Sequence, residues 1–176
     1  LKVAAVARPV AITGPWEASF APGWGMVEKV SFEQLTDWTK RSEDAIKYFS
    51  GPATYRKTFT WEPGNAQPST FNPQLFLDLG EVRDLATVRV NGRELATLWL
   101  APWRVDITSA VKPGANTLEI VVVNPWNNRL VGDAALPAEQ RHTFLAGPKV
   151  SKNAPLLPAG LLGPVRLWTA ETVELK

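Results

Sequence analysis

The stretch VRVNGRELATLWLAPWRVDIT, residues 88–108, holds the feature that most narrows the fold: an Asn91-Gly92 pair between short runs in which apolar and polar residues alternate. A two-residue type I′ turn needs positive φ at both central positions, which Asn tolerates and Gly adopts without strain. Such a turn sets Val90 opposite Arg93, Arg89 opposite Glu94 and Val88 opposite Leu95. Val88 and Leu95 then point to a core, and Arg89 and Glu94 make an opposite-charge pair outside. Further on, TLEIVVVN at 117–124 follows the turn Pro113-Gly114-Ala115-Asn116. Val121 and Val123 make even its second face apolar, which predicts a central strand.

Alternation predicts further strands at 16–20, 55–61, 75–79, 104–108, 165–169 and 172–175. In 55–61, Tyr55, Phe59 and Trp61 share a face and Lys57 is the exception. Helix is scarce. SEDAIKYF at 42–49 predicts about two turns, with Ser42 as N-cap and Glu43 and Asp44 at the positive end of the dipole. Residues 127–131 predict a single turn. Segments 64–73 and 134–162 read as loop, the second long enough for a binding loop or a packed surface excursion. Fifteen prolines and twelve glycines punctuate these short runs, a pattern of all-β sandwiches rather than helical bundles. One module over 1–176 is expected, with 1–45 a partly irregular N-terminal extension and 134–162 a long loop region.

Several functions lack the residues they need. Nineteen basic against seventeen acidic side chains leave +2 without a long run of one sign, so no basic stripe marks a nucleic-acid partner. No apolar run approaches the ~20 residues of a membrane span. The start, LKVAAVARPVAITG, lacks the charged beginning and long apolar core of a signal peptide and reads as a chain entering mid-protein. Cysteine is absent, so thiolate metal sites and disulfides are too. The lone imidazole, His142, has no serine in a nucleophile elbow to serve and no second histidine with which to bind a metal. No phosphate loop is present, a structural calcium finds no EF-hand spacing to support it, and no cofactor is predicted. Asp78, Glu81 and Asp84 read as turn caps, and Asp106 as an acceptor for backbone amides before Thr108-Ser109.

Eight tryptophans are the compositional anomaly. Trp24, Trp38, Trp99, Trp103 and Trp126 stand in or beside loops. For each, core packing ranks first, contact with another domain or partner second, and stacking on a sugar ring third. The densest polar constellation is NPWNNRLVGD, 124–133, with Asn127, Asn128, Arg129 and Asp133 around Trp126 and Leu130. Arg129 and Asp133 have the i,i+4 spacing of a helical ion pair. The same groups can offer donors to sugar hydroxyls or to another domain. Trp99, Trp103, Trp126, Asn127, Arg129 and Asp133 are therefore the candidate ligand or interdomain contacts, and no residue is a catalytic candidate.

GPATYRKTF at 51–59, the run from LFLDLG at 75 to VVVN at 124, and GLLGPVRLW at 160–168 together resemble the sugar-binding-type β-sandwich of family 2 glycoside hydrolases. NPWNNRLVGD and IKYFSGPATYRKTF bring the resemblance closer to the C-terminal module of family 106 α-L-rhamnosidases. The resemblance implies an all-β, galactose-binding-like jelly roll of two antiparallel sheets with one or two short helices. It also implies attachment to a catalytic (β/α)₈ barrel, typically ~250 residues, which 176 residues cannot also contain. The family's catalytic carboxylates belong to that barrel, and the resemblance implies an extracytoplasmic, bacterial setting. The expectation is a non-catalytic accessory domain whose partners are the catalytic domain of the same enzyme and, less directly, carbohydrate. The alternatives are an autonomous carbohydrate-binding module and a self-contained glycosidase.

Overall fold

The computed structural model describes residues 2–6, 9–22, 29–62, 74–147 and 149–174. In chain order its strands are β1 (Lys2–Val6), β2 (Val10–Ala11), β3 (Trp16–Phe20), β4 (Lys29–Phe32), β5 (Gly51–Trp61), β6 (Gln74–Asp78), β7 (Glu81–Arg83), β8 (Leu85–Val90), β9 (Arg93–Leu98), β10 (Arg104–Asp106), β11 (Gly114–Asn124), β12 (Gly160–Gly163) and β13 (Arg166–Glu174). Helix α1 (Asp44–Lys47) precedes β5, and α2 (Asn127–Ala134) follows β11. One sheet runs β4-β3-β5-β11-β8-β9 and the second β1-β13-β6-β10, with β2 also on β13 and β7 paired to β12 as a ribbon. All these strand pairs are antiparallel. The molecule is a two-sheet antiparallel jelly-roll sandwich of the galactose-binding-like kind.

The period-2 pattern builds the core directly. Ala18 and Phe20 of β3, Tyr55 and Phe59 of β5, Val88 and Val90 of β8, and Ile120 and Val122 of β11 are buried, as are Leu75 and Leu77 of β6 and Val105 of β10 across from them. β11 lies between β5 and β8, as its doubly apolar pattern requires. An aromatic cluster fills one part of the core: Phe20 meets Trp38 and Phe49 edge-on at centroid distances of 5.3 and 4.9 Å. Trp38 Nε1 donates to the Tyr55 hydroxyl at 2.6 Å, satisfying two polar groups that would otherwise be buried unpaired. Burial pushes the Tyr55 phenol up to about 12, against the opposing effect of that bond. Gly160 passes the indole so closely that a Cβ there would overlap Trp38 Nε1, and its φ is +100°. Only glycine meets both conditions.

The hairpin turn forms as expected, with φ of 52° at Asn91 and 80° at Gly92. The Asn91 side chain also accepts from Thr117 N and donates to Ala110 O, tying the turn to β11. Arg89 faces Glu94, but the register then shifts and Val88 faces Ala96 instead of Leu95. Leu95 is the extra residue of a β-bulge, half-buried beside the core rather than inside it. A second correction concerns α1. Its N-cap is Glu43, not Ser42, because the Ser42 hydroxyl bonds to Glu43 and the Glu43 carboxylate is held by Arg41. The Arg41 bonds hold that carboxyl down at about 2. α2 is longer than one turn, and the two strands expected near the C-terminus are continuous as β13. The expected loop at 64–73 lies outside the described residues, as does Trp24.

Candidate functional site

Strand register brings two of the expected contacts, Trp99 and Trp126, to one end of the six-stranded sheet. Phe20 pairs with Ala53, Asn124 with Gly51, Val123 with Leu85, and Ala86 with Leu98. The ends of β3, β11 and β9 therefore lie along one edge with the starts of β5 and β8. Just past those ends stand Trp126, after β11, and Trp99 with Leu100, after β9. β11 and β9 are two strands apart, roughly 10 Å. All three side chains are exposed, Trp99 at 78% and Trp126 at 69%.

Beside Trp126 runs a groove of about 560 Å³ walled by Pro22, Pro52, Pro125 and Phe49, with Ser50 and Asn124 as its polar side chains. Proline has no N–H to offer. Asn124 is already spent: its Oδ1 accepts from Gly51 N at 3.0 Å and its Nδ2 donates to Phe49 O at 2.9 Å. Among the described residues, a sugar laid on the indole would find little besides the Ser50 hydroxyl and backbone carbonyls to engage its own hydroxyls.

The polar constellation of α2 turns inward. Arg129 and Asp133 form the i,i+4 ion pair at 2.8 Å, with side chains 6% and 4% exposed. The other Asp133 oxygen accepts from the amides of His142 and Thr143, at 3.1 and 2.7 Å, and from the Thr143 hydroxyl at 2.5 Å. Burial by itself would raise the Asp133 pKa, but the Thr143 hydroxyl, the Arg129 charge and the two amides together hold it below the usual carboxylate value. Arg129 also sits 6.0 Å over the Tyr48 ring. Asn128 exchanges two bonds with the backbone of Leu157, N–H to side-chain O at 2.8 Å and side-chain N to O at 2.7 Å. These residues strap His142, Thr143 and Leu157 onto α2 and are spent on those internal bonds. Asn127 is half-buried, and Trp103 is half-buried against the core. Trp99 and Trp126 remain the outward-facing pair.

Among the carboxylates, Asp78 accepts from Gly80 N and pairs with Arg104, Glu81 pairs with Arg83, and Asp106 accepts from Thr108 N at 2.9 Å. Among the described residues no cluster of His, Asp and Glu is arranged to hold a metal, and no helix is long and apolar enough to cross a membrane.

The outer face of the six-stranded sheet holds a feature that the sequence concealed. Glu17, Arg56, Glu119, Arg89 and Glu94 occupy one register row across five strands. Arg56 bonds to Glu119 at 3.1 Å, and Arg89 reaches Glu119 at 2.9 Å and Glu94 at 2.8 Å. Glu119 first, then Glu94, raise the Arg89 pKa above its usual value. Alternation of charge sign across strands shows only once the strand partners are known.

Residues 33–153, more than half of the chain, match the glycosyl hydrolase 2 galactose-binding domain-like family. The chain belongs to this family. A rhamnosidase from Novosphingobium sp. PP1Y is 40% identical, with a TM-score of 0.82 over 93% of this chain and 15% of that one. A provisionally named β-glucuronidase of Formosa agariphila is 37% identical over 94% of this chain and 16% of its own length. A β-glucuronidase from an uncultured Clostridium sp. shares the fold, with a TM-score of 0.64 at 16% identity. The chain thus spans about a sixth of the relatives that resemble it in sequence. The family match includes Trp99, Trp126 and all of α2.

Proposed function

We propose that this chain is a non-catalytic accessory module of a glycoside hydrolase and that it docks on the catalytic domain of the same polypeptide through the sheet end carrying Trp99, Leu100 and Trp126. The observation that carries the reading is the groove beside Trp126. It is apolar and prolyl-walled, its amide is satisfied internally, and an exposed indole flanks it. Indole anchors of this sort concentrate binding energy at protein interfaces. The small share of each relative that the chain covers supports a partner within the same polypeptide: most of each relative lies outside the region of likeness. The parent's substrate class is carbohydrate. The 40% identical rhamnosidase favours a rhamnoside, of the α-L kind that the family 106 resemblance implies, over the β-glucuronide suggested by the other relative's name.

The test uses the chain and its parent. The chain alone should leave aryl α-L-rhamnosides and aryl β-glucuronides intact. Its tryptophan fluorescence should stay flat on titration with L-rhamnose and galactose. In the parent, Trp126→Asp together with Trp99→Asp should separate the module's unfolding transition from that of the barrel. A saturable, rhamnose-selective fluorescence change lost in Trp126→Ala would replace docking with autonomous sugar binding.

A further inference from the structure

A second concavity, of about 570 Å³, lies between the C-terminal half of α2 and residues 138, 141–145, 149 and 150. Its make-up differs from that of the Trp126 groove. Leu130 and Val150 contribute apolar wall, and Phe144 stands at the rim, 92% exposed. Asp133 reaches the cleft, but its charge is consumed by Arg129 and by three donors from His142 and Thr143. Arg141 and Lys149 also line it, and neither makes an ion pair among the described residues. Arg141 Nε donates to Leu136 O at 3.0 Å, which fixes the guanidinium at the cleft and leaves its two terminal nitrogens for a ligand. The Thr143 hydroxyl donates its proton to Asp133, so its oxygen can accept. The cleft therefore offers two unanswered positive charges, one of them a fork suited to a planar carboxylate, beside an aromatic face and a hydroxyl acceptor. Its volume is that of a small-molecule site.

We infer that this cleft binds a carboxylated pyranose, with the carboxylate on Arg141 and Lys149, a ring hydroxyl on Thr143 and the apolar face of the ring against Phe144. The sugar part of the assignment rests on the glycoside-hydrolase reading above, whereas the anionic part rests on the cleft alone. The Asp133 strap is its positioning element, because it fixes the backbone on which Thr143 and Phe144 are carried.

Isothermal titration of the 176-residue chain with methyl β-D-glucuronide, methyl β-D-glucoside and sodium sulfate at matched ionic strength tests it. Amide shifts at Thr143 and Phe144 locate the binding. Saturable binding of the glucuronide is expected, with the neutral glycoside and sulfate each weaker by about tenfold or more. Arg141→Ala should abolish that preference, Arg141→Lys should retain part of it, and Trp126→Ala should leave it intact. Equal binding of the glucoside, or no glucuronide binding up to its solubility limit, overturns the proposal. So does a shift pattern that ignores the cleft or an Arg141→Ala variant that still discriminates. Stronger binding of sulfate than of glucuronide would make this a bare anion site and overturn the sugar assignment. Docking through Trp126 stands or falls separately, because that face and this cleft have no lining residue in common.

Discussion

Trp38 and Trp126 are the same residue type, both expected in or beside loops, and they have opposite fates. Trp38 is fully buried, hydrogen-bonded to Tyr55 and wedged among Phe20, Phe49 and Gly160. Trp126 is mostly in solvent. The two regions meet at Phe49, which packs on Trp38 at 5.7 Å and also walls the groove beside Trp126. The module thus has a complete aromatic core on one side of Phe49 and an incomplete one on the other. A core answers every surface it contains, whereas the Trp126 end presents apolar surface that no described residue covers, as the proposed docking face requires.

The sharpest way to break this contrast is to truncate both tryptophans. Trp38→Ala should cost about 3–5 kcal/mol in urea denaturation, the range for a large buried aromatic. Trp126→Ala should cost no more than about 0.5 kcal/mol in the isolated chain, as exposed positions do. Similar losses would mean that Trp126 is core after all.

Asp133→Ala should be nearly as damaging as the loss of Trp38, about 3–5 kcal/mol, because it strands the Arg129 charge in a buried site. It should also release the 141–145 backbone, measured by amide hydrogen exchange at His142 and Thr143. Unchanged exchange there would show that the strap does not depend on the carboxylate.

Acid titration sharpens the same point. Asp133 is held below its ordinary value of 3.8, so at that pH the folded chain binds fewer protons than the unfolded one. Its contribution is complete above 3.8 and drains as pH falls further, through the lower folded-state pKa. Wild type should therefore lose stability faster than Asp133→Asn as pH drops below about 4. Parallel curves would remove Asp133 from the account.

Smaller still is Tyr55→Phe, which leaves Trp38 Nε1 without its buried acceptor and should cost about 1–3 kcal/mol. The smallest effect is expected at the charge row. Glu119→Gln should lower Tm slightly in low salt and hardly at all in high salt, since the pairs it breaks are partly exposed and readily screened. A large loss that survives high salt would mean that the row is a structural element rather than a solvated face.

Much of this was legible in the sequence, because local rules act over short distances. The Asn91-Gly92 turn, the central position of 117–124, the Arg89–Glu94 pair and the Arg129–Asp133 spacing all follow from periods of two or from helical spacing, and all are present. The Leu95 bulge was not legible, since alternation continues through it and only pairing with β8 shows the extra residue. Nor was the Glu43 cap, because a side-chain contest among Arg41, Ser42 and Glu43 decided it.

By itself the sequence determined an all-β sandwich, its more regularly alternating strands and its resemblance to a sugar-enzyme lineage, because alternation, turn chemistry and motif order are properties of the chain read in line, whereas β1, β2, β4, β7 and β12 escaped it. Tertiary structure alone decided which tryptophans are core and which are face, that Arg129 and Asp133 look inward, and that five charges from five strands form one row. Those outcomes depend on which distant segments share a register or close over a side chain, and burial and electrostatic pairing are set by such neighbours rather than by the residue or its position in line.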